Sequence, residues 1–160
     1  MNSADFRKKI ESIRPSYLNE RRPLMEILSN KGSTKSEYAQ FGPFYQTYMY
    51  AFFIGYNKGE RLPLTGKSDN FREFGLWQPK GIIDFIIMLL FQNLEELKDW
   101  NSFDELDENE LDQKVKKFLT ALEEYANAGL MHLQDKYDNE RNEFQDEFVF
   151  VNMLKEVANK

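Results

Sequence analysis

The sequence predicts an all-α protein, a single compact domain over residues 1–160 in which about five to six helices pack around an aromatic central helix. Three observations predict this fold. Apolar residues recur every three or four positions along most of the chain, and the alternation typical of strands is nearly absent. The length of 160 residues suits one domain. The 14 phenylalanines and 8 tyrosines supply large side chains for its core.

Two helices are expected in the N-terminal region. Pro15 ends the first helix, because a proline is tolerated only in the first turn of a helix. The second helix is expected over residues 16–28, or as a shorter helix with Pro23 in its first turn if the chain breaks there. Residues 29–36 are polar and contain glycine, so they predict a loop.

The central helix is expected to begin after Gly42 and Pro43 and to end at Gly59. Gly59 is expected in the left-handed conformation, which other residues adopt only at a steric cost. Apolar side chains cover most of the circumference of this helix, so we expect it to lie in the core. These side chains are Phe44, Tyr45, Tyr48, Met49, Phe52, Phe53 and Tyr56.

Three more helices are expected in the C-terminal half. The first, over residues 82–99, is apolar on nearly all sides in its first half and is therefore expected to be buried. Residues 99–112 hold seven carboxylates and predict a connector that leads into a helix N-terminus. An amphipathic stripe then runs from Val115 to Leu133. The last helix is expected to turn one apolar face to the core, formed by Phe144, Phe148, Val151 and Leu154.

The composition excludes several classes of protein. The chain has no cysteine, which excludes disulfides, thiolate nucleophiles and cysteine-based metal sites. Its longest apolar stretch, residues 82–91, contains Asp84 and is shorter than the roughly 20 residues that a membrane-spanning helix needs. The first ten residues are polar and do not resemble a signal peptide. We therefore expect a cytoplasmic protein with no membrane partner.

Charge is distributed unevenly along the sequence. Residues 1–80 carry 13 Lys/Arg against 8 Asp/Glu, whereas residues 81–160 carry 8 against 19. One interpretation is that a basic and an acidic surface meet different partners, or pair between copies in a homo-oligomer. The alternative is that both halves simply form solvated faces.

The sequence favours a protein without catalysis but does not decide the question. The single histidine, His132, has no partner at the spacing of a known catalytic pair or metal site, so we expect no catalytic residue, metal or cofactor. The alternative is an enzyme whose site assembles from distant polar residues. These are Arg61, Arg72, Glu123, Glu124 and His132.

Two segments carry a distinctive combination of aromatic, glycine and polar residues. The first, residues 48–64, reads YMYAFFIGYNKGERLPL and contains Tyr56, Gly59, Arg61 and Pro63. The second, residues 123–130, reads EEYANAGL. Its candidate structural or binding residues are Tyr125, Asn127 and Gly129.

Both segments resemble motifs of small bacterial proteins encoded beside the genes for DNA phosphorothioate modification, the dnd-type sulfur-modification and restriction systems. In that family an apolar helix ends in Leu-Gly-Tyr/Phe-x-x-Gly-x-Arg-x-Pro-Leu, and a second motif reads Glu-Tyr-Ala-Asn-x-Gly. Ile54 stands where the first pattern more often has leucine. The resemblance implies a role in DNA modification or phage defence, and it transfers no catalytic residue.

The same motif residues have a structural interpretation. Arg61 is expected near the C-terminal carbonyls of the central helix, which attract a cation, with a phosphate contact as the alternative. Ala126, Ala128 and Gly129 are small enough for close approach of two helices, and Asn127 can hydrogen-bond a neighbouring backbone.

These observations favour a non-catalytic accessory protein of a bacterial DNA-modification or phage-defence system that acts by protein–protein contact. The alternative is a DNA-binding protein, with Lys58, Arg61, Lys67 and Arg72 as the candidate DNA contacts. A sequence pI near 5.0 counts against that alternative, because nucleic-acid-binding domains are usually basic. The full basic set would be Arg7, Lys8, Lys9, Arg14, Arg21, Arg22, Lys58, Arg61, Lys67, Arg72 and Lys80.

Overall fold

The computed structural model describes residues 2–29 and 41–158. These residues are mostly helical, which confirms the predicted fold class in outline. They fall into two compact units, the first formed by Met1–Pro15 and Asn70–Leu122 and the second by Ser16–Asp69 and Glu123–Lys160. The single domain over residues 1–160 stays a prediction.

Seven α-helices and two short strands occur within the described residues. The helices are α1 (Asn2–Glu11), α2 (Arg22–Leu28), α3 (Phe44–Lys58), α4 (Lys80–Asn93), α5 (Glu95–Lys98), α6 (Glu108–Asn139) and α7 (Val149–Ala158). The strands β1 (Ser16–Leu18) and β2 (Ser68–Asn70) pair with each other. Short 3-10 helices lie at Asn19–Arg21, Phe74–Leu76, Trp100–Glu105 and Arg141–Gln145. No helix in this part of the chain has the length and apolar character needed to span a membrane.

The first unit contains α1, α4, α5 and residues 108–122 of α6, and aromatic rings form much of its core. Phe6, Phe74, Trp77, Phe103 and Phe118 are all buried. The ring centres of Phe6 and Phe103 lie 5.1 Å apart and those of Phe74 and Trp77 lie 5.0 Å apart, both in edge-to-face arrangement. Edge-to-face pairs place a ring's positive edge on another ring's negative face, which fixes their relative orientation.

The second unit contains β1, α2, α3, residues 123–139 of α6, and α7, and its core is built on α3. Ten of the fifteen residues of α3 are buried, including Tyr48, Phe52 and Ile54 with no exposed surface. The buried Tyr50 hydroxyl donates a hydrogen bond to the carbonyl oxygen of Phe150 in α7. The expected burial of the aromatic helix is therefore confirmed for this unit. Its predicted ends are confirmed too, because α3 begins after Pro43 and Gly59 caps it at φ 69°.

The predicted helix over residues 16–28 was wrong in its first half. Residues 16–18 form a strand, and α2 begins only at Arg22, with Pro23 in its first turn as the alternative expected. Backbone groups before Pro23 have partners far along the sequence. The Ser16 N–H donates to a carboxylate oxygen of Glu123 at 2.6 Å, and the Asn19 N–H donates to the Lys67 carbonyl at 2.9 Å.

The predicted helix over residues 82–99 is divided in two. Leu94 takes an extended conformation (φ −99°, ψ 119°), so α4 ends at Asn93 and α5 follows as one turn. The acidic connector does lead into a helix N-terminus, as expected. Asp107 caps α6 by accepting the Glu110 N–H at 2.8 Å, which satisfies a donor that has no partner inside the helix.

The predicted core face of the last helix was wrong. Phe148 and Val151 are exposed, whereas α7 buries Val149, Phe150, Met153 and Val157. Phe144 is buried, but it belongs to a separate 3-10 helix, so helical spacing counted from Phe144 does not continue into α7. The loop predicted over residues 29–36 lies outside the described residues except for Ser29, which pairs with Phe41 in an isolated bridge.

Candidate functional site

Two glycines, one in each motif, bring α3 and α6 into backbone contact within the second unit. A Cβ atom on Gly55 would lie 2.8 Å from the carbonyl carbon of Tyr125, closer than real side chains come. A Cβ atom on Gly129 would lie 2.8 Å from the Cα atom of Ala51 and closer still to the Ala51 carbonyl. The expected close approach at Gly129 is confirmed, and Gly55 plays the matching role on α3.

The segment after Gly59 is held along α6 by hydrogen bonds. Asn127 is only 1% exposed, and its Nδ2 donates to the carbonyl oxygens of Leu62 at 3.1 Å and Pro63 at 3.4 Å. The Leu62 N–H in turn donates to the Glu124 carbonyl at 3.1 Å. The predicted bond from Asn127 to a neighbouring backbone is therefore confirmed, and Pro63 is part of its target.

Arg61 is paired with an acid in the other motif. Its Nε donates to Oε1 of Glu124 at 2.9 Å, and its guanidinium carbon lies 5.6 Å from the ring centre of Tyr125. Tyr125 also meets the ring of Tyr56 at 5.5 Å, and burial raises the pKa of the Tyr56 hydroxyl. A carboxylate and an aromatic face thus engage Arg61, and its contact with phosphate stays a prediction.

The dispersed polar residues have separate partners. Glu123 is half-buried and binds the Ser16 N–H, and burial raises the pKa of its carboxyl despite that hydrogen bond. Lys58 Nζ lies 3.3 Å from Nδ1 of His132 and 3.3 Å from a carboxylate oxygen of Glu60. Arg72 belongs to the first unit. Among the four candidates of the second unit, Arg61 and Glu124 therefore bind each other, whereas Glu123 and His132 contact Ser16 and Lys58, and no nucleophile–base pair is built among these four.

A shallow pocket of about 430 Å³ lies beside Lys58 and His132. Its cationic lining residues, Lys58 and Arg61, are offset by the carboxylates of Glu60 and Asp135. Throughout residues 2–29 and 41–158, no group of three His, Asp or Glu side chains is arranged to hold a metal ion. The pocket therefore has neither a charge excess nor a ligand set that selects a substrate.

Most of the basic N-terminal residues are neutralised by carboxylates in the same unit. At least seven of the eleven cations proposed for DNA contact have a carboxylate oxygen within 4 Å. They are Arg7, Lys9, Arg14, Arg21, Arg22, Lys58 and Arg61. The two sequence halves are also not the two units. The first unit carries 10 Lys/Arg against 13 Asp/Glu and the second 11 against 14, so each has a net charge of −3.

An apolar groove of about 540 Å³ opens on the first unit between α1, α4 and the 3-10 helix Trp100–Glu105. Its floor is formed by buried residues that include Phe6, Ile87 and Phe103. Its sides include Met88 and Trp100, which are 44% and 51% exposed. Two large apolar side chains thus stay in contact with solvent around an apolar floor.

This groove was not predicted, because α4 was expected to be buried. The structure corrects that expectation: α4 buries Ile83, Ile86 and Leu90 but exposes Phe85 and Met88. A helix that is apolar on nearly all sides is expected to be buried, so the sequence contained no signal that one side of α4 is exposed. Which of its faces is covered depends on the packing of the whole unit.

Comparison with known proteins shows which family the chain belongs to. Among curated proteins and among solved structures, nothing matches the chain. A family model described as DNA sulphur modification system-associated protein 4 matches residues 19–160, which include both motifs. The match confirms the resemblance seen in the two motifs. The chain therefore belongs to the family of DNA sulphur modification system-associated protein 4, a dnd-associated family.

Proposed function

We propose that this protein is a non-catalytic accessory protein of a bacterial DNA-modification and phage-defence system, and that it acts by binding another protein. The groove of the first unit carries the proposal, because it combines a buried apolar floor with the exposed side chains of Met88 and Trp100. Contiguous exposed apolar surface on a folded protein usually marks a binding site. Membership of a family associated with DNA sulphur modification supports a partner within that system.

The surroundings of the groove favour a protein partner over catalysis. Its best-placed polar groups already bind each other, since Nη2 of Arg7 donates to Oδ1 of Asp84 at 2.7 Å and Nε of Arg7 donates to Glu11 at 2.7 Å. Catalysis needs polar groups aimed at the reacting atoms, whereas a protein interface needs an apolar centre with a polar rim. The groove has the second arrangement.

Direct DNA binding is less well supported. Lys58, Arg61, Lys67 and Arg72 belong to units that each carry a net charge of −3, and Lys58 and Arg61 are paired with carboxylates. Phosphate binding would have to break those pairs or work against an acidic surface. A gel-shift series at low salt tests this alternative, and a shift that weakens steeply with added salt would establish it.

Co-purification tests the protein-contact proposal. The tagged chain is expressed beside the neighbouring modification-system genes and purified gently, together with two variants at methionines of equal exposure. We expect a partner to co-purify in stoichiometric amount with the wild type and with Met131→Glu, a variant of the second unit at a side chain that is 43% exposed. We expect Met88→Glu to lose that partner. If the wild type and both variants were all purified without a bound partner, the proposal would be contradicted. Light scattering on the same samples tests self-association, which stays a prediction, as does the cytoplasmic location.

A further inference from the structure

The helix α1 forms one side of the groove and covers an aromatic surface of the first unit. Phe6, Arg7 and Ile10 line the groove, and Phe6 and Ile10 are buried. The ring of Phe6 meets three other rings of this unit, with ring centres 5.1 to 6.3 Å apart. These rings belong to Phe91, Phe103 and Phe118. Two side chains of α1 thus occupy an aromatic site built by the rest of the unit.

The polar contacts that hold α1 are ion pairs at the surface of the unit. Nη2 of Arg7 donates to Oδ1 of Asp84 at 2.7 Å. Nζ of Lys9 lies 2.7 Å from a carboxylate oxygen of Asp112 and 3.8 Å from one of Glu108. The three carboxylates are exposed, and exposed ion pairs contribute little to stability and are weakened by salt. The docking of α1 therefore depends mainly on its two buried side chains.

The C-terminal end of α1 is held more closely than the rest. The Phe74 N–H donates to the Ile13 carbonyl at 2.9 Å, and a Cβ atom on Gly75 would lie 2.7 Å from Cβ of Glu11. The helix has only ten residues, and a helix of fewer than about 12 residues is marginally stable in water by itself. Release of α1 would therefore begin at its N-terminal end, with these contacts as the pivot, and would cost it its helical structure.

The family match includes the covered surface but not the helix that covers it. The matched residues, 19–160, contain α4, the 3-10 helix Trp100–Glu105 and the α6 segment with Phe118, whereas α1 ends at Glu11. The aromatic site thus belongs to the segment that identifies the family, and its cover comes from outside that segment.

We propose that α1 is a releasable cover of the partner-binding surface, and that a helix of the partner takes its place. This rests on the proposed function and adds how its surface is regulated. The occupant is defined by what it replaces, an aromatic side chain followed four positions later by an aliphatic one, as in Phe6 and Ile10. Without a partner the closed arrangement predominates, and a partner that binds only the open arrangement shifts the population toward it.

Hydrogen exchange of the full-length protein tests the release. We expect the amides of residues 6–11 to exchange about tenfold or more faster than those of residues 112–122, which lie in α6 within the same unit. Raising sodium chloride from about 0.1 M to about 1 M should speed exchange in α1 about threefold and leave the α6 segment nearly unchanged. Equal exchange of both segments, through unfolding of the whole unit, would overturn the proposal.

Two lysine variants distinguish this release from ordinary fraying of a terminal helix. Lys9→Gln removes the pair with Asp112 and should speed exchange in α1 about threefold, as salt does. Lys8→Gln, at an exposed lysine of the same helix, is the matched control and should leave the exchange unchanged. Equal effects of the two variants would show that the ion pairs do not hold the cover, and would count against the proposal.

A covalent lock tests whether binding needs the release. The chain has no cysteine, so the variant Lys9→Cys/Asp112→Cys can be joined by a short bis-maleimide at these two positions alone. Both positions lie outside the set of residues that lines the groove. We expect the joined protein to bind the co-purified partner about tenfold or more weakly than the same variant capped with a monofunctional maleimide. Equal binding by the joined and capped proteins would overturn the proposal.

The proposed function and the cover can fail separately. A partner that is lost from Met88→Glu but binds the joined protein as well as the capped one would keep the proposed function and reject the cover. Fast, salt-dependent exchange of α1 without any co-purified partner would support the release and reject the proposed function. The exchange measurement uses the purified chain alone, so its result does not depend on the neighbouring gene products.

Discussion

The two units have the same net charge and both leave some large apolar side chains exposed, but in the first unit two of these side chains border an apolar groove. The second unit encloses α3 and joins its two motifs through backbone contacts at Gly55 and Gly129. The first unit leaves Met88 and Trp100 exposed around an open groove. Both motifs that carry the family resemblance lie in the second unit, where their residues pack α3 against α6, and the family model matches residues 19–160. The partner surface that we propose lies in the first unit, outside both motifs.

The largest effect on stability is expected from Gly129→Ala. The added methyl group would collide with the backbone of Ala51 in α3, and backbone atoms cannot move aside as a flexible side chain can. We expect a loss of about 3 kcal/mol in the free energy of unfolding, at the upper end of overpacking effects. Urea unfolding followed by far-ultraviolet circular dichroism measures it.

Gly81→Ala in the first turn of α4 is the matched control. A Cβ atom at Gly81 has no heavy-atom neighbour within 4 Å, and alanine is a better helix former than glycine. This variant should be as stable as the wild type or more stable by up to about 1 kcal/mol. A Gly129→Ala protein equal in stability to the control would show that the helices separate easily, and the proposed packing role of the motifs would fail.

Local signals in the sequence explain what was predicted of this unit. Gly42-Pro43 and Gly59 mark the two ends of α3 because each acts on the backbone at its own position. The small size of Gly129 and the amide of Asn127 predicted two contacts that the structure contains, the close approach of α6 to α3 and the hydrogen bonds to the 62–63 backbone. The strand β1 was missed because it pairs with β2, which is far away in the sequence, and no local pattern reveals that pairing.

The groove was missed for a related reason. Along a helix that is apolar on nearly all sides, such as α4, hydrophobic periodicity cannot separate the covered side from the exposed side. The sequence therefore does not show that Ile87 is buried and Met88 is exposed. Exposure there depends on where α1 and the 3-10 helix Trp100–Glu105 lie, and that is a property of the folded unit.

A smaller loss is expected from Asn127→Ala. The variant removes the donor that binds the Leu62 and Pro63 carbonyls, and one such hydrogen bond contributes about 1 kcal/mol to the free energy of unfolding. The control is Asn57→Ala, because Asn57 is an exposed asparagine whose Nδ2 donates only to Phe53 in its own helix. If the two variants lost equal stability, the tether between the motifs would contribute nothing beyond a surface contact.

The smallest effect is a pH dependence that distinguishes two carboxylates of the second unit. Burial raises the pKa of Glu123 above its unfolded value, whereas the hydrogen bond and charge of Lys136 lower the pKa of Glu140. A raised pKa gives a contribution to stability that is present below the unfolded pKa and lost as pH rises through the folded pKa. A lowered pKa gives one that is present above the unfolded pKa and lost as pH falls through the folded pKa.

The glutamine variants should therefore change stability in opposite directions at neutral pH. Glu123→Gln removes a half-buried charge while its amide oxygen can still accept the Ser16 N–H, so the variant should be more stable than the wild type at neutral pH. Glu140→Gln removes the nearest of three carboxylates around Lys136, 2.7 Å away, and should be less stable than the wild type at neutral pH. Urea unfolding between pH 3 and pH 7 measures both differences. The difference for Glu123→Gln should shrink as the pH falls towards about 4.5, and the difference for Glu140→Gln should shrink as the pH falls below about 4.5. Differences of the same sign would mean that burial does not control Glu123, and the enclosed packing assigned to the motif region would lose its electrostatic support.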